Sequence, residues 1–267
     1  MMPRRKKIAE LTPRKRNKEG KKPSFLNMSK ILVSIDDLNK LPSRADGYVL
    51  GYEKYTFFAK HRFSFEEIKT FKEPQKIYLL LNVMLHEKQV EDFRLEAEKL
   101  SSLDINFIVQ DLGMVEILKR YVDVSRIIYN PYTLVCNLEE FRVYKENLGV
   151  TIGVSSQLSI DNLEKFKDDS FITLYGYVPI YQSYRKVISL YSTYHDVNAP
   201  KETLVKEATR DDKHHIIENE YGSVIFSSEP VDLVSDIERL KDAKYLFIDT
   251  SYVDEEKIEQ ILEGLHK

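Results

Sequence analysis

Polar side chains follow most of the apolar, strand-like runs of this sequence, at the points where those runs end. Asp111 comes directly after the run Phe107–Gln110, and its carboxylate is the best single candidate for a general acid or base. The alternative role for Asp111 is to cap the helix that begins near Gly113. Other strand ends, and the segment after the seventh one, supply amide, phenol and guanidinium groups that suit hydrogen bonds to a ligand. The predicted substrate-binding residues are Asn82, Gln110, Asn130, Gln157, Tyr175, Tyr177 and Arg185.

Two of these amides have a second interpretation that stays open. Asn82 and Gln110 either orient an amide or carboxylate of a ligand or satisfy the backbone of exposed loops. Asp249 also follows an apolar run, but Thr250 and an acidic helical stretch come next, so we expect it to cap that helix.

Metal and nucleophile chemistry find little support in the residue spacing. His214 and His215 are adjacent, so in a strand they point to opposite faces and do not easily bind one ion. We therefore predict no metal and no other cofactor. The single cysteine, Cys136, excludes an internal disulfide framework and a cluster held by four cysteines of this chain, and it fits a reducing cytoplasm. Cys136 is expected in the core of a helical stretch, with a helix-start nucleophile as the alternative.

Eight short, almost continuously apolar runs alternate with amphipathic stretches, which indicates an α/β protein with a parallel sheet. The predicted fold is a TIM-barrel-like (β/α)8 barrel, and a doubly wound open sheet with the same local pattern is the alternative. The connection 36–42 is too short for a covering helix, so the barrel is expected to be irregular near its start. The runs are Ile31–Ile35, Tyr48–Gly51, Ile77–Val83, Phe107–Gln110, Arg126–Tyr129, Val150–Val154, Phe171–Tyr175 and Tyr245–Ile248.

Helical stretches are expected between these runs. Ser64 has the features of a helix start, with two acids in the turn that follows it. The other predicted helical stretches are Glu87–Leu100, Thr133–Leu148, Ser159–Phe166, Pro230–Leu240 and Asp254–Leu265.

One segment interrupts the alternation, between the last two predicted barrel strands. Residues 177–213 are rich in tyrosine, and residues 214–228 resemble a β-hairpin. We expect an insertion at about 177–228 on the barrel face where active sites lie. Its tyrosines, with Arg185 and Lys186, suit base stacking, a hydrophobic lid or a subunit interface, and the interface is favoured.

The charge is unevenly divided along the chain. Residues 1–27 carry ten Lys and Arg against two Glu, a net +8, and the remainder carries −11 of the total −3. This first segment holds few apolar groups, so we expect a disordered basic tail before a single domain at 28–267. The tail is either a nucleic-acid-binding arm or a solvated extension, unless translation begins at Met28.

Several stretches resemble, in order and spacing, the U32 (collagenase-like) family of peptidases. They run from about Met28 to Tyr194, and Val109–Gly113 is the most specific. The resemblance implies a TIM-barrel-like domain and, by the family's name, proteolysis of unsettled catalytic type. Other members are associated with hydroxylation of RNA bases or of a quinone precursor and hold an iron–sulfur cluster with four cysteines. The remaining matching stretches are Asp46–Gly51, Phe63–Ile68, Lys76–Asn82 and Leu174–Tyr177, followed by Ser183, Arg185 and Ser189.

The sequence departs from the family pattern where chemistry is expected. Two family cysteines align with Pro179 and Lys186, the usual histidine with Tyr175, and an Arg-Glu pair with Ser156-Gln157. Two functions therefore remain: a nominal peptidase of doubtful catalysis, or an accessory barrel that partners a cysteine-bearing paralogue in tRNA or rRNA base hydroxylation. The expected partners are such a paralogue or a second copy of the chain, with a peptide or RNA substrate. No membrane contact is expected, because no apolar run approaches 18 residues.

Overall fold

Eight parallel strands close into a barrel in the computed structural model, which describes residues 29–265. The strand β1 pairs in parallel with both β2 and β14, so the sheet has no open edge between its first and last barrel strands. This closure confirms the predicted (β/α)8 barrel over the doubly wound alternative. With strands numbered along the chain, the barrel consists of β1 (Lys30–Ser34), β2 (Gly47–Tyr52), β4 (Ile77–Leu81), β5 (Asn106–Val109), β6 (Ile127–Tyr129), β7 (Thr151–Gly153), β8 (Ser170–Gly176) and β14 (Tyr245–Ile248).

Alternate side chains of the barrel strands pack in two separate cores. One buried cluster fills the barrel interior, because its members occupy every second position along their strands. The other set packs outward against the helices. The interior cluster consists of Leu32, Val49, Tyr78, Leu80, Ile108, Ile128, Phe171, Tyr245 and Phe247.

Helices cover the barrel between most strands. Ser64 begins the first helix with a capping box to Glu67, as its sequence indicated. The connection 35–46 contains no helix, so the barrel is irregular at its start, as predicted. The α-helices are α1 (Phe65–Lys69), α2 (Val90–Ser101), α3 (Leu112–Leu118), α4 (Leu138–Leu148), α5 (Ile160–Leu163), α6 (Val187–His195) and α7 (Glu255–Gly264), with 3-10 turns at Pro74–Lys76, Glu87–Gln89, Val124–Arg126 and Val234–Arg239.

Two helix predictions are wrong in detail. The helix predicted from Thr133 begins only at Leu138, because the Asn137 side chain accepts a hydrogen bond from the Glu140 N–H and acts as the cap. Cys136 therefore precedes the helix and is exposed rather than buried in the core. The stretch Pro230–Leu240 forms a short strand, β13 (Val231–Asp232), that pairs with β8, and then the last 3-10 turn.

The chain segment between β8 and β14 forms a second sheet. It is antiparallel and four-stranded, in the order β10-β11-β12-β9, and includes the predicted hairpin β11–β12. The helix α6 connects β9 to β10. The strands of the second sheet are β9 (Pro179–Ser183), β10 (Glu202–Val205), β11 (His214–Asn219) and β12 (Gly222–Phe226). In the barrel sheet, the short β3 (Arg62–Phe63) pairs with β2. The predicted basic tail at 1–27 lies outside the described residues.

Candidate functional site

A layer of polar side chains lies at the carboxyl ends of the barrel strands. These side chains stand at or just after the last residues of five strands, which all end at the same rim because the strands are parallel. Their positions continue the inward alternation of the interior cluster. The layer contains Ser34, Asn82, Gln110, Asn130 and Asp249.

Asn82 ties the loop after β2 across the mouth of the barrel. Its Oδ1 accepts a hydrogen bond from the Phe57 N–H at 2.7 Å, and its Nδ2 donates to the Phe58 carbonyl at 2.9 Å. The same Nδ2 donates to the Tyr132 hydroxyl at 3.3 Å. Asn82 is 1% exposed, so its amide serves the protein's own backbone and a tyrosine.

Gln110 connects the barrel to the second sheet. Its Nε2 donates to Gln182 Oε1 on β9 at 2.7 Å, and Gln182 Nε2 donates to the Asn82 carbonyl at 3.3 Å. The Gln110 Oε1 is buried and has no hydrogen-bond partner among the described residues. One acceptor of the mouth thus remains available to a donor.

Asn130 fits its position because the neighbouring strand carries a glycine. A Cβ at Gly153 would lie 2.5 Å from Asn130 Oδ1 and 2.8 Å from Asn130 Cα, so a larger residue there would clash with the Asn130 backbone. Asn130 Oδ1 accepts from the Tyr132 N–H at 3.3 Å. Tyr132 has a φ of 57°, a backbone conformation that bulky residues rarely adopt. The same left-handed conformation occurs at Tyr55 and Tyr252, which also lie in loops at this end of the barrel.

Asp111, the predicted catalytic carboxylate, uses both oxygens to hold backbone. Its Oδ1 accepts from the Met114 N–H at 3.0 Å and caps α3, and its Oδ2 accepts from the Leu85 N–H at 3.2 Å. Tyr184 lies close by and donates to the Met84 carbonyl. Burial raises the pKa of Tyr184, and the charge of Asp111 raises it further.

Asp249 is the carboxylate of the barrel mouth whose pKa is raised by its surroundings. Its Oδ1 accepts hydrogen bonds from the Ser251 N–H at 2.9 Å and from Ser34 Oγ at 3.2 Å. Burial raises the pKa of Asp249 above its ordinary value, and these hydrogen bonds only partly oppose that effect. The expected role of Asp249 as a helix cap is wrong, because α7 begins at Glu255 with Asp254 before it. The position of Asp249 at the end of β14 was the sequence signal for a site residue.

An aromatic lid packs against Asn82 of the polar layer. The loop after β2 and the hairpin of the second sheet bring their rings together, and the Phe58 and Phe226 ring centroids are 5.2 Å apart. Asn219 Nδ2 and Arg62 Nη2 both donate to the Phe57 carbonyl, at 2.7 and 2.9 Å. We define the aromatic lid as Phe57, Phe58, Phe226, Tyr132, Tyr177, Tyr221 and Tyr252, together with Val83, Val224 and Ile217.

A cleft of about 380 Å³ opens beside the aromatic lid. Aromatic rings of the lid form part of its wall, and three cations line it, each held in an ion pair. Lys60 pairs with Asp36, Arg62 with Glu220, and Lys201 with the buried Glu218.

The predicted site residues do not all meet at one place. Asn82, Gln110 and Asn130 share the polar layer, and Tyr177 belongs to the aromatic lid above it. Tyr175 is buried in the core between strands and helices, where Lys257 Nζ lies 5.8 Å from its ring centroid. Gln157 and Arg185 are exposed. Gln157 lies in the loop after β7, and Arg185 lies two residues before α6.

The iron–sulfur cluster of the cysteine-bearing relatives does not fit these residues. Pro179 is buried on β9 against Phe226, and Lys186 is the residue before α6. Neither position offers a thiolate, and Cys136 is the one cysteine of the chain. Within residues 29–265, no three His, Cys, Asp or Glu side chains are grouped to hold a metal ion. No helix among these residues is long and apolar enough to cross a membrane.

Comparisons with known proteins give a family and one similar structure. Residues 38–265 match the sequence profile of Peptidase family U32. A comparison with curated protein sequences gives no match. A solved structure, the C-terminal domain of a candidate chitinase from Desulfitobacterium hafniense DCB-2, is similar at 12% sequence identity and a TM-score of 0.34, over 90% of this chain and 100% of that domain.

Proposed function

The chain belongs to peptidase family U32, and from that premise we propose that it is an accessory barrel without peptidase activity of its own. Its role would be to partner a cysteine-bearing member of the family in the modification of RNA bases. The observation that carries this proposal is the packing of the barrel mouth, where Asn82 of the polar layer is buried and hydrogen-bonded to Phe57, Phe58 and Tyr132 of the aromatic lid. TIM-barrel enzymes need that mouth for substrate.

The carboxylate expected to do acid–base chemistry supports the same proposal. A general base must reach the proton that it removes. Both oxygens of Asp111 accept backbone N–H groups, from Met114 and Leu85. A carboxylate bound in this way acts as a helix cap, and capping was the alternative role expected from the sequence.

The amides of the mouth also serve the fold. Asn82 satisfies Phe57 and Phe58, and Gln110 bonds to Gln182 of the second sheet. These bonds hold the aromatic lid in place over the barrel. A substrate that bound the Asn82 side chain would have to break the bonds of that amide first.

A peptidase assay tests the negative half of the proposal. The purified chain is incubated with denatured collagen and casein beside the variant Asp111→Asn. We expect no cleavage above buffer from either protein. Cleavage by the wild type that Asp111→Asn abolishes would establish the peptidase and overturn the accessory role.

Deletion of the gene tests the positive half. We expect hydroxylated bases to disappear from tRNA or rRNA, as measured by mass spectrometry of nucleosides, and a plasmid copy to restore them. The Asp111→Asn copy should restore them equally, because the carboxylate only caps a helix. Unchanged nucleosides in the deletion strain would refute the accessory role.

Co-purification identifies the partner in the same cells. A tagged chain at native level should recover a U32 paralogue that carries the four cysteines. Recovery of the chain alone, under conditions in which the paralogue is expressed, contradicts the proposed partnership.

A further inference from the structure

The helix α6 presents an apolar stripe away from the body of the protein. Leu190, Tyr191 and Tyr194 are 60%, 56% and 85% exposed, while Ile188 on a neighbouring face is buried. With Val187, the exposed residues follow the spacing of one helix face. Apolar side chains so exposed on one face mark an interaction surface.

Charges at the two ends of α6 are reversed from the order that a helix favours. Arg185 and Lys186 stand at its amino end, where the helix dipole is positive, and Asp196 follows its carboxyl end, where the dipole is negative. The ion pairs of this part of the described chain use other residues: Lys201 with Glu218, Lys206 with Asp211, and Arg210 with Glu207. Arg185, Lys186 and Asp196 thus form no ion pair within the described residues, although the charge of Lys186 acts on Glu220.

The stripe is symmetric about the point between Leu190 and Tyr191. Val187 and Tyr194 are equally far from that point, and so are Arg185 and Asp196. A two-fold axis through it would place Leu190 against Tyr191 of a second copy. It would also place Arg185 against Asp196 of that copy at both ends of the contact.

We propose that α6 is the contact helix of a dimer of this chain, in which it pairs antiparallel with α6 of a second copy. The antiparallel arrangement puts the acid of one copy at the positive end of the other helix and the bases at its negative end. The contact is isologous, as in most soluble dimers, and therefore closes after two copies.

The helix is held rigidly for such a contact. Glu218 on β11 accepts a hydrogen bond from the Ser189 N–H at 2.9 Å, and Ser223 Oγ on β12 accepts from the Val187 N–H at 2.9 Å. Both bonds satisfy N–H groups in the first turn of α6. A helix fixed before association loses little conformational freedom when it binds.

Sedimentation equilibrium at low salt tests the dimer. The wild type should give twice the chain mass of 31.4 kDa at tens of micromolar, and Leu190→Asp should weaken association at least tenfold. The matched control is Leu95→Asp, since Leu95 is an equally exposed leucine on α2, at 64%. The control should leave the dimer unchanged. A monomeric wild type, or a dimer insensitive to Leu190→Asp, overturns the inference.

A charge exchange tests the antiparallel geometry. One variant carries Arg185→Glu with Lys186→Glu, and a second variant carries Asp196→Lys. Each alone should associate at least tenfold more weakly than the wild type, because like charges then face each other. A one-to-one mixture should recover association, since opposite charges meet again in the mixed dimer. A mixture that stays monomeric overturns the pairing.

This inference stands apart from the accessory role. The mass measurements need no substrate and no other protein, so a failed dimer leaves the nucleoside and co-purification experiments to decide the proposed function.

Discussion

Replacing Asn82 by alanine should loosen the aromatic lid and cost about 3 kcal/mol of the free energy of unfolding. The substitution leaves the Phe57 N–H without the acceptor now at 2.7 Å and the Phe58 carbonyl without the donor now at 2.9 Å. Each buried polar group left unsatisfied costs about 1–3 kcal/mol. The two groups together would cost about 2–6 kcal/mol, and a water molecule in the vacated space offsets part of that loss, which leaves about 3 kcal/mol.

Urea denaturation at pH 7 measures this loss, with hydrogen exchange of the Phe57 amide as a local probe. Asn147→Ala is the matched control, because the Asn147 side chain is exposed on α4 and donates to the Val143 carbonyl. The control should change stability by about 0.5 kcal/mol or less. A loss below about 1 kcal/mol for Asn82→Ala, with the Phe57 amide still protected, would refute the structural role. Asn82 would then be free to bind a ligand.

Three other perturbations have outcomes set by the geometry. Burial opposes ionisation of Glu218, but Lys201 and Ser189 lower its pKa to about 2. The wild type should therefore be more stable than Glu218→Gln by a difference that is full above pH 4.5 and vanishes as the pH falls through about 2. Urea titrations from pH 2 to 7 measure this difference. Asp111→Ala should lose about 1–2 kcal/mol in the same assay at pH 7, and Asp111→Asn less, because asparagine also caps helices; equal losses would contradict the capping role. Gly153→Ala should cost about 1–3 kcal/mol by overpacking, and a neutral result would mean that the neighbouring strand yields.

The strands of the barrel were predictable because each is buried on both sides and so forms a continuous apolar run. Val150–Val154 and Tyr245–Ile248 need no distant information to be recognised. The closing of the sheet followed from the number of such runs. The helix starts were less predictable, since Asn137 and Thr133 are both plausible caps and only the packed structure selects the first.

The sequence predicted where the residues of the polar layer lie, but not which groups they hydrogen-bond. Parallel strands must end together, so Asn82, Gln110 and Asn130 were expected at one rim. Their hydrogen-bond partners Phe57 and Gln182 come from loops and strands that the sequence does not bring together by any local pattern. The raised pKa of Asp249 depends in the same way on burial by surrounding segments, which only the complete fold supplies.

The pairing of β1 with β14 has a consequence for biosynthesis. Ser34 on β1 and Asp249 just after β14 are bonded although they are 215 residues apart. At about 5–20 residues per second, translation separates the two strands by roughly 10–40 s. During that time one edge of β1 remains unpaired, while the ribosome synthesises the rest of the chain up to β14, including the second sheet. Such an exposed edge is where a nascent chain aggregates, so this protein should need chaperone protection until its final strand leaves the ribosome.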